Sequence, residues 1–76
     1  MRFSRHSLAR MSERGISEDD VRAALKRPMG QPDPGNGGNI VITGLAMNRK
    51  LLCVVCCEEP DELVIISVYW SSVRER

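Results

Sequence analysis

Eleven residues in the middle of the chain, Pro28 to Gly38, hold three prolines and four glycines, so no long regular element can run through them. They separate two halves with different hydrophobic periods. Before the break, apolar residues recur at three- and four-residue spacing, as on a helix. After it they form three short runs rich in branched residues, as in strands. A chain divided in this way is an α+β fold, and its 76 residues can support only one core. The break itself, residues 28–38, reads as a flexible connector that is neither helix nor regular strand.

The first half, residues 4–27, reads as a helical pair. Ser4 can cap a first helix, on which Leu8 and Met11 fall on one side with Gly15 close behind. His6, Arg10 and Arg14 are spaced four apart and share the opposite side within roughly 80° of arc. Gly15 supplies a left-handed stop. Ser17 then opens the second helix with Asp20 three residues on, a capping-box variant, and Ile16 and Val21 stand where a hydrophobic staple needs them. Lys26 and Arg27 lead into Pro28, cations suited to the negative end of a helix that proline stops.

The second half, residues 39–70, reads as an antiparallel β-meander. Asn39–Met47 is the first strand, Asn48 and Arg49 supply a turn, Lys50–Cys57 is the second strand, and a Glu-Glu-Pro-Asp-Glu cluster turns the chain into Leu63–Trp70. The expected architecture is two N-terminal helices packed on one face of a three-stranded sheet, with room for a fourth strand, and a polar tail over residues 71–76. Strict alternation sends Leu63, Ile65, Ser67 and Tyr69 one way and Val64, Ile66, Val68 and Trp70 the other, both sets largely apolar. The favoured arrangement puts the helices over the second set, leaving Ser67 and Tyr69 on the far side.

Eleven basic against ten acidic residues give a net charge of +1, which argues against a protein that neutralises many phosphates with its whole surface. Charge placement therefore matters more than charge. Basic residues gather at the N-terminus, at Arg22, Lys26 and Arg27, and at Arg49 and Lys50; acidic ones at Glu18–Asp20 and Glu58–Glu62. The three cysteines, an odd number inside one apolar run, do not read as a disulfide framework, and Cys53 and Cys56 lack the second pair or histidines of a zinc site. Alternation puts Cys53 and Cys57 on one face and Cys56 on the other, as small hydrophobes. No metal or cofactor is expected. No apolar run is long enough to span a membrane and the start lacks the apolar core of a secretory signal, so the expected location is the cytoplasm.

The run His6-x-x-x-Arg10-Met11-x-x-Arg14-Gly15-Ile16-Ser17, with Val64–Tyr69 at the far end, resembles the DUF4258 family of small prokaryotic domains of unknown function. The resemblance extends from about Phe3 to Tyr69. That family is grouped by pattern and predicted fold with RelE-like and barnase-like ribonuclease toxins, which implies a metal-independent endoribonuclease of toxin–antitoxin type. Position by position it implies a site of His6, Arg10, Arg14, Ser67 and Tyr69, with Ser67 standing where threonine is usual. The chemistry suits these types. Histidine can move the 2′-hydroxyl or leaving-group proton, arginines grip phosphate oxygens, and a tyrosine can donate a proton or stack on a base. The alternative is a non-catalytic RNA- or protein-binding domain of the same fold. RNA, an antitoxin, or a second copy added at an open strand edge are the partners this reading admits.

Overall fold

The computed structural model describes residues 1–71. Helix α1 spans Arg5–Arg14. It begins where the Ser4 hydroxyl accepts the Ser7 N–H at 3.0 Å and ends at Gly15, whose φ of 64° is the left-handed conformation that glycine adopts without cost. Helix α2 spans Glu18–Lys26. Both halves of its capping box are made: the Ser17 hydroxyl accepts from the Asp20 N–H, and an Asp20 carboxylate oxygen accepts from the Ser17 N–H, each at 3.0 Å. Ile16 and Val21 are both buried, as the staple requires. The apolar face of α1 differs from the expectation. Ser7 and Met11 are buried, whereas Leu8 is 46% exposed. A serine can take the buried position because its hydroxyl donates to the Ser4 carbonyl at 2.7 Å, leaving no polar group unpaired.

The sheet has five strands and is mixed, a correction to the three- or four-stranded antiparallel meander. Strands β1 (Arg2–Phe3), β2 (Asp33–Pro34), β3 (Ile40–Leu45), β4 (Leu51–Glu58) and β5 (Leu63–Trp70) lie in the order β1-β5-β4-β3-β2. The meander β3-β4-β5 is antiparallel as expected, but β1 runs parallel to β5, with Phe3 beside Ile65. Two residues carry no readable period, which is why the sequence hides β1. Strand β2 falls inside the proline-rich connector and pairs Asp33 with Val41 and Pro34 with Ile40. An edge strand tolerates proline because one side of it makes no ladder. The Met29 N–H also donates to the Thr43 carbonyl at 2.7 Å, so the connector borders the sheet and is not a free loop. Past Ser71, the expected polar tail lies outside the described residues.

A β-bulge at Ile66 sets the faces of the sheet. Val55 pairs with Ser67 but Cys56 pairs with Ile65, so Ile66 is the extra residue. Strict alternation along β5 therefore fails. Leu63, Ile65, Val68 and Trp70 face the helices together with Leu52, Val54 and Cys56 of β4, while Val64, Ser67 and Tyr69 face away. Met11, Ile16, Val21 and Ala24 supply the helical side of this single core.

Gly44 decides how closely α2 approaches. A Cβ built on Gly44 would stand 2.0 Å from the Ala24 carbonyl oxygen, so the two backbones touch with no room for a side chain. Replacing Gly44 with alanine pushes α2 off β3. We expect Gly44→Ala to cost about 3 kcal/mol or more, read as a lowered urea midpoint. At the other end of α2, the second Asp20 oxygen accepts the Met47 N–H at 3.1 Å, tying the helix start to the β3–β4 turn. Burial pushes the Asp20 carboxyl upward, but the N–H groups of Ser17 and Met47 and the Ser17 hydroxyl outweigh it and hold the group below its usual range. A depressed folded-state pKa stabilises above the unfolded value of about 3.9 and is lost as pH falls through the folded one. The melting temperature of Asp20→Asn is accordingly expected to lie below wild type at neutral pH, with the gap closing as the pH drops below about 4.

Candidate functional site

The residues singled out in the sequence do not converge. His6 is exposed on α1. Arg10 reaches back to Glu13 at 2.8 Å, while its Nε is buried without a hydrogen-bond partner. Arg14 is exposed as His6 is, but its guanidinium reaches across to the sheet. Its Nη1 donates to the Val68 carbonyl on the outer edge of β5 at 2.7 Å, and the Trp70 indole donates to the Arg14 carbonyl at 3.0 Å. The row of residues four apart drifts around the helix, so its third member reaches the sheet that its first member avoids. Ser67 and Tyr69 stand on the far face. The sheet thus lies between the His6–Arg10–Arg14 row and the Ser67–Tyr69 pair, which leaves an acid–base group on α1 without the hydroxyls of β5.

The β5 edge that could have received a partner strand is engaged along part of its length. Beyond β1, the Ser4 N–H donates to the Ile65 carbonyl at 3.0 Å, the Ser4 hydroxyl to the Ile66 carbonyl at 3.2 Å, and Arg14 to Val68. At the opposite edge β2, Met29 and the Arg27 carbonyl cover β3.

The far face of the sheet carries no helix: Tyr69 is exposed there, Cys53 and Val64 are buried and its other residues are half-buried. Val41 sits opposite Val55, Leu45 opposite Leu51, and Cys57 opposite Val64, with Thr43, Cys53 and Tyr69 in a row between them. No charged side chain stands on this face of the three long strands, and both helices lie on the other side. A sheet that meets water on one face normally alternates apolar with polar residues; this one does not. The Thr43 hydroxyl lies 3.4 Å from the Cys53 sulfur, and Tyr69 is 40% exposed beside them. Burial, then the neighbouring Cys53 and Asp33, push the Tyr69 phenol up, so it stays protonated at neutral pH. The signal was present in the sequence as the unbroken run Leu51–Cys57 and the two apolar faces of Leu63–Trp70.

The two ends of this face differ in charge. At the β3–β4 end a cavity of about 330 Å³ opens between Met29, Leu45, Leu51 and Trp70, with Arg49 and Lys50 among its lining. At the β4–β5 end stand Glu58, Glu59, Asp61 and Glu62, of which Glu62 and Glu59 hold Arg2 at 3.1 and 3.8 Å. The net charge of +1 conceals this polarity.

The cysteines are free thiols, with Cys53 and Cys56 buried, on opposite faces as alternation expects. Burial, then Glu58 and Cys57, push the Cys56 thiol up, the opposite of what a nucleophile or metal ligand needs. Among the described residues no cluster of His, Cys, Asp or Glu could hold a metal ion, and no helix is long and apolar enough to cross a membrane. A family model described as a domain of unknown function, DUF4258, matches residues 3–70. No curated protein and no solved structure matches the chain.

Arg14 separates a structural from a catalytic role. Arg14→Ala is expected to lose a charged hydrogen bond worth about 1–2 kcal/mol and so lower the melting temperature by several degrees. A thermal melt superimposable on wild type would remove the bond to Val68 as a source of stability.

Proposed function

We propose that this chain, which belongs to the DUF4258 family, works as a non-catalytic protein-binding domain whose open sheet face seats a second copy of itself. The observation that carries this reading is the uncharged, largely apolar face of β3, β4 and β5, on which no described element lies. Apolar surface of this kind gains free energy only by leaving water. A second copy presents the same uncharged surface, and a two-fold axis makes the match isologous.

Charge fixes the orientation. With the axis across the strands, the acidic β4–β5 turn of each copy lies over Arg49 and Lys50 of the other, so opposite charges meet at both ends. At about 4.8 Å between strands and about 3.3 Å per residue, the three strands present a face of roughly 14 by roughly 23 Å. Two copies then bury roughly 650 Å² of flat area, below the roughly 1,000 Å² expected of a stable specific interface and in the range of weak, transient contacts. Association through a face of that size is weak and depends on protein concentration.

Catalysis is the second reading, and it keeps one supporting observation: His6 and Arg10 remain neighbours on α1, and the Arg10 Nε has no partner. Sedimentation velocity over a concentration series tests the first. The mass is expected to rise from 8.5 kDa towards twice that value, with the rise weakened by salt. Val55→Lys, which puts a charge at the centre of the face, is expected to hold the protein at monomer mass with its circular dichroism unchanged. Wild type that stays monomeric at every concentration overturns the proposal. RNA cleavage by wild type that disappears in a folded His6→Ala protein replaces it with the catalytic reading.

A further inference from the structure

The sequence holds basic clusters at Arg22–Arg27 and at Arg49–Lys50, and the fold brings Arg49 of the second against the first at the end of α2. A cavity of about 630 Å³ lies between the last turns of α2 and the β3–β4 turn, lined by Arg22, Lys26, Arg27, Arg49, Met47 and, as its one acid, Asp19. Arg22 is held by Glu18 at 3.6 Å, but Lys26, Arg27 and Arg49 form no ion pair among the described residues. Lys26 and Arg27 already answer the negative end of α2, so Arg49 is a cation the helix does not require. It is also held at a cost. Its φ of 67° makes it the one non-glycine among the described residues with a positive φ, at a turn position that glycine or asparagine would fill without strain.

From this juxtaposition we infer that the cavity between α2 and the β3–β4 turn is a binding site for the phosphodiester backbone of single-stranded nucleic acid. The cations are exposed and come from two separate elements, and no cage of N–H groups closes around a single anion. Each such contact is weak alone, so the surface favours a polyanion that meets several cations at once and releases counterions from each. Three of the four cations are arginines, whose planar fork matches phosphate oxygens. Met47, 68% exposed, offers an apolar ledge for a base beside them. The site lies against α2 and shares only Arg49 with the proposed self-association, whose test variant Val55→Lys leaves every residue of the cavity in place.

Fluorescence anisotropy with a labelled twelve-nucleotide oligouridylate tests this in the intact protein. Three phosphate contacts predict a plot of log affinity against log salt with a slope of about −2, at about −0.7 per contact on a single strand. The double variant Lys26→Ala/Arg27→Ala is expected to weaken binding at least about tenfold and to flatten the slope by about 1.4. Arg49→Gly relieves the left-handed strain, so it is expected to melt at or above the wild-type temperature while binding several-fold more weakly. That combination distinguishes a lost contact from a lost fold. Arg5→Ala, a cation on α1 away from the cavity, is expected to bind as wild type does. Tighter binding of oligouridylate than of oligothymidylate of the same length assigns the site to RNA, and equal binding assigns it to the backbone that the two share. Poly-glutamate competing as well as RNA at equal charge would overturn the inference in favour of an acidic protein partner, as would unaltered RNA binding in both cavity variants.

Discussion

The contact between Gly44 and the Ala24 carbonyl is the constraint on which the rest of the molecule depends. Two backbones meet there without an intervening side chain, so α2 lies as close to β3 as a helix can. That approach brings the Arg27 carbonyl within 3.3 Å of the Leu45 N–H and sets Pro28 against Gly44. The chain leaving α2 is thereby laid along β3, and Met29 and β2 continue the ladder. The stretch from Pro28 to Pro34, roughly 20 Å at about 3.3 Å per extended residue, borders the sheet at both its ends instead of forming a free connector. At the opposite edge, Ser4 and Arg14 bind the carbonyls of β5, so both helices are tied to one face.

The bulge at Ile66 completes that division. It restores Ile65 and Val68, three residues apart, to the same side, where both are fully buried against the helices. The same shift delivers Val64, Ser67 and Tyr69 to the far side. The row His6, Arg10 and Arg14 on α1 and the hydroxyls of β5 thus lie on opposite faces of the sheet at its β5 edge.

The uncovered face and the polarised ends are the features on which the proposed self-association rests. Tyr69, on this face, is shifted towards its neutral form, and a neutral group on an apolar surface lowers the cost of removing it from water. With all basic residues counted against all acidic ones the chain is almost neutral, yet the β3–β4 turn and the end of α2 carry cations while the β4–β5 turn carries carboxylates. Separation of charge along the strands gives the protein a direction that its net charge does not express.

The sequence by itself determined the local elements. Ser4, Gly15 and the Ser17–Asp20 pair define helix ends through hydrogen bonds within a few residues, and Leu63–Trp70 is a strand with the limits its composition indicates. These features are legible because each depends on neighbours in the chain. Family membership was legible too, through the spacing from His6 to Ser17. Only the tertiary structure decided what depends on distant partners: that Arg14 binds Val68, that Ser7 and not Leu8 is buried, that Arg2–Phe3 and Asp33–Pro34 join the sheet, and that Ile66 bulges. A two-residue strand or a bulge has no period of its own. It exists because a neighbouring strand supplies the hydrogen bonds, and no local pattern records which neighbour that is.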